Sequence, residues 1–343
     1  MSATTTAPKQ DGFSIGRLLL EGRAFFALIA IIAVFSFLSP NYFTVSNFLI
    51  MSSQVAIYGI LSVGMLLVIL NGGIDLSVGS ILALCGVCAG AMMQGITLDW
   101  AGVILYPPVW AVVVLTVAVG ALVGALNGVL IAFFKVPPFV ATLGVMYVAR
   151  GVALLMTNGL TYNNLRGQEA LGNTGFNWLG FNRLWGIPIS VIVLAVVAVL
   201  AGLMLSRSAF GRWLYASGGN ERAAELSGVP TRLVKITVYT VSGALAAVAG
   251  LVLASQLTSA GPTAGTTYEL TAIAAVVIGG AALTGGRGGV RGTMLGAFVI
   301  GFLSAGLVII GVSSYWQTVF TGAVIVLAVL MNSIQYGRGG RKS

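Results

Sequence analysis

Ten apolar runs divide this chain, most of them approaching the roughly 20 residues a helix needs to cross about 30 Å of hydrocarbon. They fall at 24–38, 48–70, 76–94, 109–134, 138–157, 187–205, 236–257, 268–283, 290–311 and 315–333. A soluble fold cannot bury that much apolar surface, whereas a polytopic helical membrane protein presents it to lipid. Composition agrees, with 58% of the 343 residues hydrophobic and 7% charged. The fold class read from this is all-α and polytopic, about ten transmembrane helices forming one membrane domain, 24–333, between polar ends at 1–23 and 334–343. No small-residue cleavage site follows the Ala24–Leu38 run, so it reads as a retained first span rather than a signal peptide.

Charge fixes an orientation. Seven charged residues crowd into 206–235 (Arg207, Arg212, Glu221, Arg222, Glu225, Arg232 and Lys235), in a chain with only 17 Lys and Arg and 8 Asp and Glu. Apolar runs flank this insert, so it emerges into water, and its basic excess assigns it to the cytoplasm. With an even number of spans both ends are then cytoplasmic, and 158–186 is an outer loop. In that arrangement 14 of the 17 Lys and Arg are inside; Arg166 and Arg183 are outside and Arg150 lies within a run. The net charge of +9 thus reflects topology and anionic headgroups, not a nucleic-acid surface.

Within the insert, Asn220 precedes Glu221-Arg-Ala-Ala-Glu-Leu-Ser, and Gly228-Val-Pro230 follows. A capping Asn, an early acid and a Gly stop predict a helix of about two turns. Alone it would be marginal in water. It should therefore pack on the membrane domain or on a soluble partner, with Ala223, Ala224 and Leu226 as an apolar edge suited to a groove.

Two stretches depart from uniform spans. The third run begins at Asn71-Gly-Gly-Ile-Asp-Leu-Ser, and the eighth is bounded by Glu269 and a glycine-rich segment from Gly279. Glycine breaks at membrane depth suggest broken or re-entrant helices lining a cavity. Asp75-Leu-Ser77 and Glu269-Leu-Thr271 both read acid, Leu, hydroxyl, and Gly120-x-x-x-Gly124-Ala echoes Gly292-x-x-x-Gly296-Ala. These echoes suggest an inverted repeat; Gly72-Gly against Gly279-Gly offers a competing register.

Little in the chain points to catalysis. It has no histidine, and no lysine follows a glycine, so a G-x-x-x-x-G-K-[ST] phosphate loop is absent. Cys85 and Cys88 have no further cysteine or histidine to complete a metal site and read as small apolar packing. The expectation is a non-enzyme with no metal and no cofactor of its own. The polar residues within the runs are candidates for a path: Gln54, Asn71, Asp75, Ser77, Asn127, Tyr147, Arg150, Glu269 and Thr271. Most are uncharged, which suits a neutral, hydroxyl-rich solute, although such groups also join helices to each other. Asp75 and Glu269 admit two readings, as acids at helix N-terminal ends or as proton or sodium ligands; Arg150 is either on the path or bonded to helix-end carbonyls.

Several long motifs, in order, resemble one family. Asn71-Gly-Gly-Ile-Asp-Leu-Ser-Val-Gly-Ser, Val136-Pro-Pro-Phe-Val-Ala-Thr-Leu-Gly, Tyr268-Glu-Leu-x-Ala-Ile-Ala-Ala-Val-Val-Ile-Gly-Gly and Gly285-Gly-Arg-Gly-Gly-Val-Arg-Gly-Thr look like the membrane permease of bacterial ATP-binding-cassette sugar importers, in the ribose, xylose, arabinose and galactose branch. The likeness spans about residues 40–333. It implies a homodimer of permease domains in the inner membrane, a cytoplasmic ATP-binding subunit holding ATP and Mg, and a periplasmic sugar-binding protein. It also implies a loop of the form Glu-Ala-Ala-x-x-x-Gly that couples to the ATPase. Arg222-Ala223-Ala224-Glu225-Leu226-Ser227-Gly228 matches that loop, except that Arg222 stands where the family has Glu; with the preceding Asn220 and Glu221 this is the expected coupling site, and Glu221 or Glu225 is left to supply the charge. A same-fold permease for a polyol, an amino acid or a quorum signal is the nearest alternative. An ion-coupled secondary transporter is the alternative from another class.

Overall fold

Inside a bilayer the backbone has no water to bond, so an apolar run satisfies its own N–H and C=O groups by coiling into a helix. The computed structural model describes residues 22–99 and 102–339, and a helix lies on every one of the ten runs. In chain order these are α1 (Arg23–Leu38), α2 (Val45–Leu70), α3 (Val78–Gln94), α4 (Val109–Ala132), α5 (Pro138–Thr157), the one-turn α6 (Trp178–Phe181) and α7 (Ile189–Arg207). Then come α8 (Ala209–Gly219), α9 (Glu221–Leu226), α10 (Thr231–Leu257), α11 (Tyr268–Ile278), α12 (Val290–Ile309) and α13 (Ser314–Gly339). Helices α2, α4, α5, α7, α10 and α12 are each long and apolar enough to cross a membrane; α1, α3 and α11 are shorter apolar helices. The chain is a polytopic all-α membrane protein.

Burial separates the helices by role. In their most apolar stretches α2 and α10 are 83% and 61% buried, against 22% for α4 and 28% for α5 and α7. Helices α2 and α10 are therefore the centre of the bundle, while α4, α5 and α7 present Leu122, Leu155 and Leu200 outward, as lipid-facing helices do. Close approach to the centre depends on small residues: a Cβ at Gly120 of α4 would stand 2.5 Å from the Gly243 carbonyl oxygen of α10, the small-residue packing that joins membrane helices.

The packing is crosswise. Helix α10 packs on α2, α3 and α4, and α2 packs on α10, α11 and α12, so each long helix embraces the short helix and its successor from the other half. This is the pairing expected if α2–α4 and α10–α12 are related units. The glycine echo does not extend to the contacts, however. Gly124 faces Tyr239 and Gly243 of α10, whereas Gly296 faces Ala275 of α11 and Gly279 just beyond its end.

The eighth run is not a full span. Helix α11 has 11 residues, about 16 Å at 1.5 Å each and roughly half the hydrocarbon thickness. It stops at Ile278 because Gly279 and then Gly280, at φ 91°, turn the chain, and Gly279 lies directly on Gly292 of α12. Likewise α3 begins only at Val78, after the Asn71–Ser77 turn. The starts of these two helices meet, with Gly79 lying against the Glu269 carboxylate and Gly265.

Outside the helices, β1 (Ile96–Leu98) and β2 (Val103–Leu105) form a hairpin, as do β4 (Arg183–Leu184) and β5 (Ile187–Pro188). Strand β3 (Tyr162–Asn163) pairs antiparallel with β6 (Ser259–Ala260), pinning the 158–186 segment to the end of α10. The expected polar end at 334–343 is helical as far as Gly339. The expected tail at 1–23 lies outside the described residues up to residue 21, as do residues 340–343.

Candidate functional site

The 206–235 insert folds into α8 and α9. Ser208 caps α8 by accepting from the Gly211 N–H at 3.0 Å. Asn220 caps α9 through a bond from the Ala223 N–H to its Oδ1, also 3.0 Å. The far end closes as the glycine stop implies: Gly228 has φ 84°, its N–H bonds the Glu225 carbonyl, and the Val229 N–H bonds the Ala224 carbonyl, each at 3.0 Å. Asn220→Ala is expected to cost about 1 kcal/mol of local stability, read as faster amide exchange confined to 221–227.

The apolar edge divides in two. Ala224 is buried against the protein, while Ala223 and Leu226 face outward, Leu226 being 76% exposed. Glu221 bonds Lys235 of α10 at 2.6 Å, tying α9 to the bundle. Arg222 pairs with Glu225 at 3.3 Å on the open side, a contact of the kind that contributes little to stability. Both acids that were candidates for the missing loop charge are thus engaged with cations.

Sequence reading missed a joint behind α8. The Gly286 N–H bonds the Leu70 carbonyl at 3.0 Å, Gly285 lies on Gly72, and Gly218 of α8 sits against both the Leu70 carbonyl and the Gly286 nitrogen. Tyr215 of α8 donates to the Gly288 carbonyl at 2.8 Å, and burial raises its phenol above the ordinary value, so it remains a donor at neutral pH. The insert therefore touches both glycine breaks, the turn before α3 and the turn after α11. Three glycine doublets, 72–73, 218–219 and 285–286, were the available signal.

Three of the proposed path residues share a hydrogen-bonded knot, in which the buried Asn127 Oδ1 is left unpartnered. Asp75 Oδ1 accepts from the Ser77 N–H at 3.0 Å and from Ser77 Oγ at 2.5 Å, and Oδ2 accepts from Ser242 Oγ at 2.9 Å. Asn127 Nδ2 donates to Ser77 Oγ at 2.9 Å. All four residues are buried to 1% exposure or less, so the knot binds the start of α3 to α4 and α10. Asp75→Asn is expected to keep transport within about twofold, while Asp75→Leu strands its donors at about 1–3 kcal/mol each and lowers the amount of protein in the membrane, as an immunoblot of membranes would read.

Arg150 also serves the backbone. Its Nη1 donates to the Pro262 and Ala264 carbonyls at 2.7 and 2.8 Å, with Glu269 in electrostatic reach, so it holds the linker between α10 and α11. Tyr147 is 70% exposed on the outer face of α5 and lines neither of the two large clefts.

Those clefts lie at opposite ends. At the insert end, a cleft of about 630 Å³ is lined by Asn71, Gly72, Gly73, Lys135 and the charged residues of α9 and early α10. Toward the other end, a cleft of about 620 Å³ between α2, α10, α11, α12 and α13 is lined by Gln54, Tyr58, Gln256, Tyr268, Thr271 and Gln317 among others, with no charged side chain among its lining residues. Gln256 Nε2 donates to the Ser53 carbonyl and Oγ at 3.2 and 2.9 Å, and Gln317 Nε2 to the Val312 carbonyl at 2.8 Å. The Tyr58 and Tyr268 rings meet edge to face at 4.8 Å. Of the nine expected path residues, Gln54 and Thr271 come together here. The two tyrosines escaped sequence reading because an aromatic in an apolar run carries no mark of facing a cavity.

A bundle of apolar helices, broken at two glycine turns and opening into an uncharged polar cleft, defines a multi-pass membrane permease, a transporter subunit. The chain belongs to the family described as branched-chain amino acid transport system / permease component, which it matches over residues 47–329. It is similar to the ribose import permease protein RbsC of Escherichia coli (strain K12), 44% identical over 315 residues, covering 92% of this chain and 94% of that one. RbsC of Bacillus subtilis (strain 168) is 44% identical over 309 residues, 90% and 91% of the two chains. The xylose transport system permease protein XylH of Escherichia coli (strain K12) is 35% identical over 384 aligned positions, 95% of each chain. No solved structure matches. These relatives lie in the branch that the sequence motifs resemble.

Proposed function

We propose that this chain is the permease subunit of an ATP-driven importer that admits a pentose-like monosaccharide across a bacterial inner membrane. The observation that carries the solute class is the uncharged cleft with its three glutamines, two tyrosines and hydroxyls: a sugar needs donors and acceptors without a fixed counter-charge. The names of the relatives, ribose and xylose permeases, point the same way. An amino acid would need a charge for its carboxylate or ammonium, and this cleft offers none, whatever the family description says.

In this reading the insert and both chain ends face the cytoplasm, and α9 couples to a soluble subunit that binds ATP and Mg; the chain itself holds no cofactor. A periplasmic sugar-binding protein docks near 158–186, where Trp178 and Trp185 are exposed at 49% and 90%, and a second copy of the chain completes the path. Binding and release alternate as the glycine-broken helices tilt, with α8 and α9 carrying the motion inward.

The test is uptake of labelled ribose, xylose, a polyol and leucine into vesicles holding the permease with its co-purified partners. Pentose uptake that requires ATP and survives an ionophore supports the reading. Uptake that needs no ATP and collapses with the ionophore would move the assignment to ion coupling. The Gln54 side chain makes no hydrogen bond within the described residues, so Gln54→Leu should lower sugar uptake three- to tenfold, the worth of one hydrogen bond at about 0.5–1.5 kcal/mol, with ATPase association unchanged.

A further inference from the structure

The cleft at the insert end carries donors with nothing to receive them. Tyr239 is 1% exposed and its O–H has no partner; the buried Asn71 Nδ2 is likewise unpartnered, and both line this cleft. Buried polar groups in native proteins are nearly always bonded, so two orphan donors in one cleft point to a ligand rich in acceptors. The charges agree. Four cations line the cleft, Lys135, Arg222, Arg232 and Lys235, against two carboxylates, Glu221 and Glu225. The carboxylates are taken by Lys235 at 2.6 Å and Arg222 at 3.3 Å. Lys135 and Arg232 have no carboxylate partner among the described residues, which leaves the cleft lining with a net double positive charge; the Asp75 carboxylate, in electrostatic reach of Tyr239, is already bonded by Ser77 and Ser242.

Their setting is unusual for solvated cations. Lys135 lies in the turn between α4 and α5 at φ 54°, a left-handed conformation that a glycine would adopt without strain. Arg232 occupies the first turn of α10, which holds no acid, so its charge opposes the positive end of the helix dipole. The flanking apolar surface is open: Phe133, Phe134 and Leu233 are 56%, 70% and 56% exposed, with the Arg232 guanidinium 5.7 Å from the centre of the Phe133 ring. Cations and aromatics together at the end of bundle helices mark the level of the lipid headgroups.

We propose that this cleft binds the phosphate headgroup of an anionic membrane lipid. Lys135 and Arg232 neutralise the phosphate, the Tyr239 O–H and the Asn71 amide donate to its oxygens, and the acyl chains lie along Phe133, Phe134 and Leu233. Bound there, the lipid braces the turn after α4 against α9 and the start of α10, the elements that carry the insert.

The experiment uses the full-length protein in neutral detergent. Native mass spectrometry with added phosphatidylglycerol or phosphatidylcholine would count retained lipid, and a thermal melt would read the stabilisation. The wild type should retain phosphatidylglycerol about tenfold more strongly than Lys135→Gln/Arg232→Gln, and Tyr239→Phe should lose part of that preference. Lys135→Arg/Arg232→Lys, which keeps both charges, should restore it. Because both cations are at the surface, the Gln variant should melt like the wild type in phosphatidylcholine. Equal retention of phosphatidylglycerol by wild type and Gln variant would overturn the proposal. So would stabilisation by inorganic phosphate matching that by the lipid, which would make this a site for a free anion, or loss of ATPase association from the Gln variant with lipid retention unaltered, which would make it part of the protein interface.

Discussion

Leu226→Asp should strip the ATP-binding subunit from the purified permease while leaving the permease in the membrane. Leu226 is 76% exposed on α9, so the substitution removes little internal contact and should leave folding intact. If that side chain enters a groove on the partner, the aspartate must be buried there without a counter-charge, at a cost of several kcal/mol. Loss of at least about thirtyfold in affinity follows from only 2 kcal/mol. Co-purification through a C-terminal tag, quantified by mass spectrometry against the permease itself, is the measurement. Normal recovery of the ATPase by a well-expressed Leu226→Asp protein would remove α9 from the coupling role.

Gly218→Val should separate ATP hydrolysis from transport. Any Cβ at 218 collides with the Leu70 carbonyl and comes within 2.7 Å of the Gly286 nitrogen, and neither is a side chain that can swing away. The larger residue must push α8 off the two glycine breaks, an overpacking that typically costs 1–3 kcal/mol. With α9 and its exposed Leu226 unchanged, the partner should still bind, but sugar uptake per ATP should fall at least about tenfold. The neighbouring glycine is the control, because a Cβ at Gly219 meets nothing within 4 Å; Gly219→Ala should transport normally and melt no lower, since alanine favours the helix by about 1 kcal/mol. If both substitutions behave alike, the contact behind α8 is not a transmission joint.

The sequence stated α9 almost residue for residue, because a cap, a short helical core and a glycine stop are local chemistry. Its partition was not local. Whether Ala224 or Leu226 turns inward depends on where α10 lies, and that follows from Glu221 reaching Lys235, 14 residues on. Asp75, Ser77 and Asn127 were legible as polar groups within apolar runs, but a polar group facing a cavity and one facing another helix look identical in one dimension. Only the approach of Ser242, 167 positions away, shows that the Asp75 carboxylate is enclosed.

The sequence by itself determined the class: apolar runs of spanning length can only become helices in lipid, and the motif order carried the family. Tertiary structure decided which helices are central, where the eighth run stops, and which polar residues share a cleft. Those outcomes depend on contacts between separate elements, such as Gly279 on Gly292, Gly120 on Gly243 and Gly72 on Gly285, where the absence of a side chain carries no partner's address until the helices are packed.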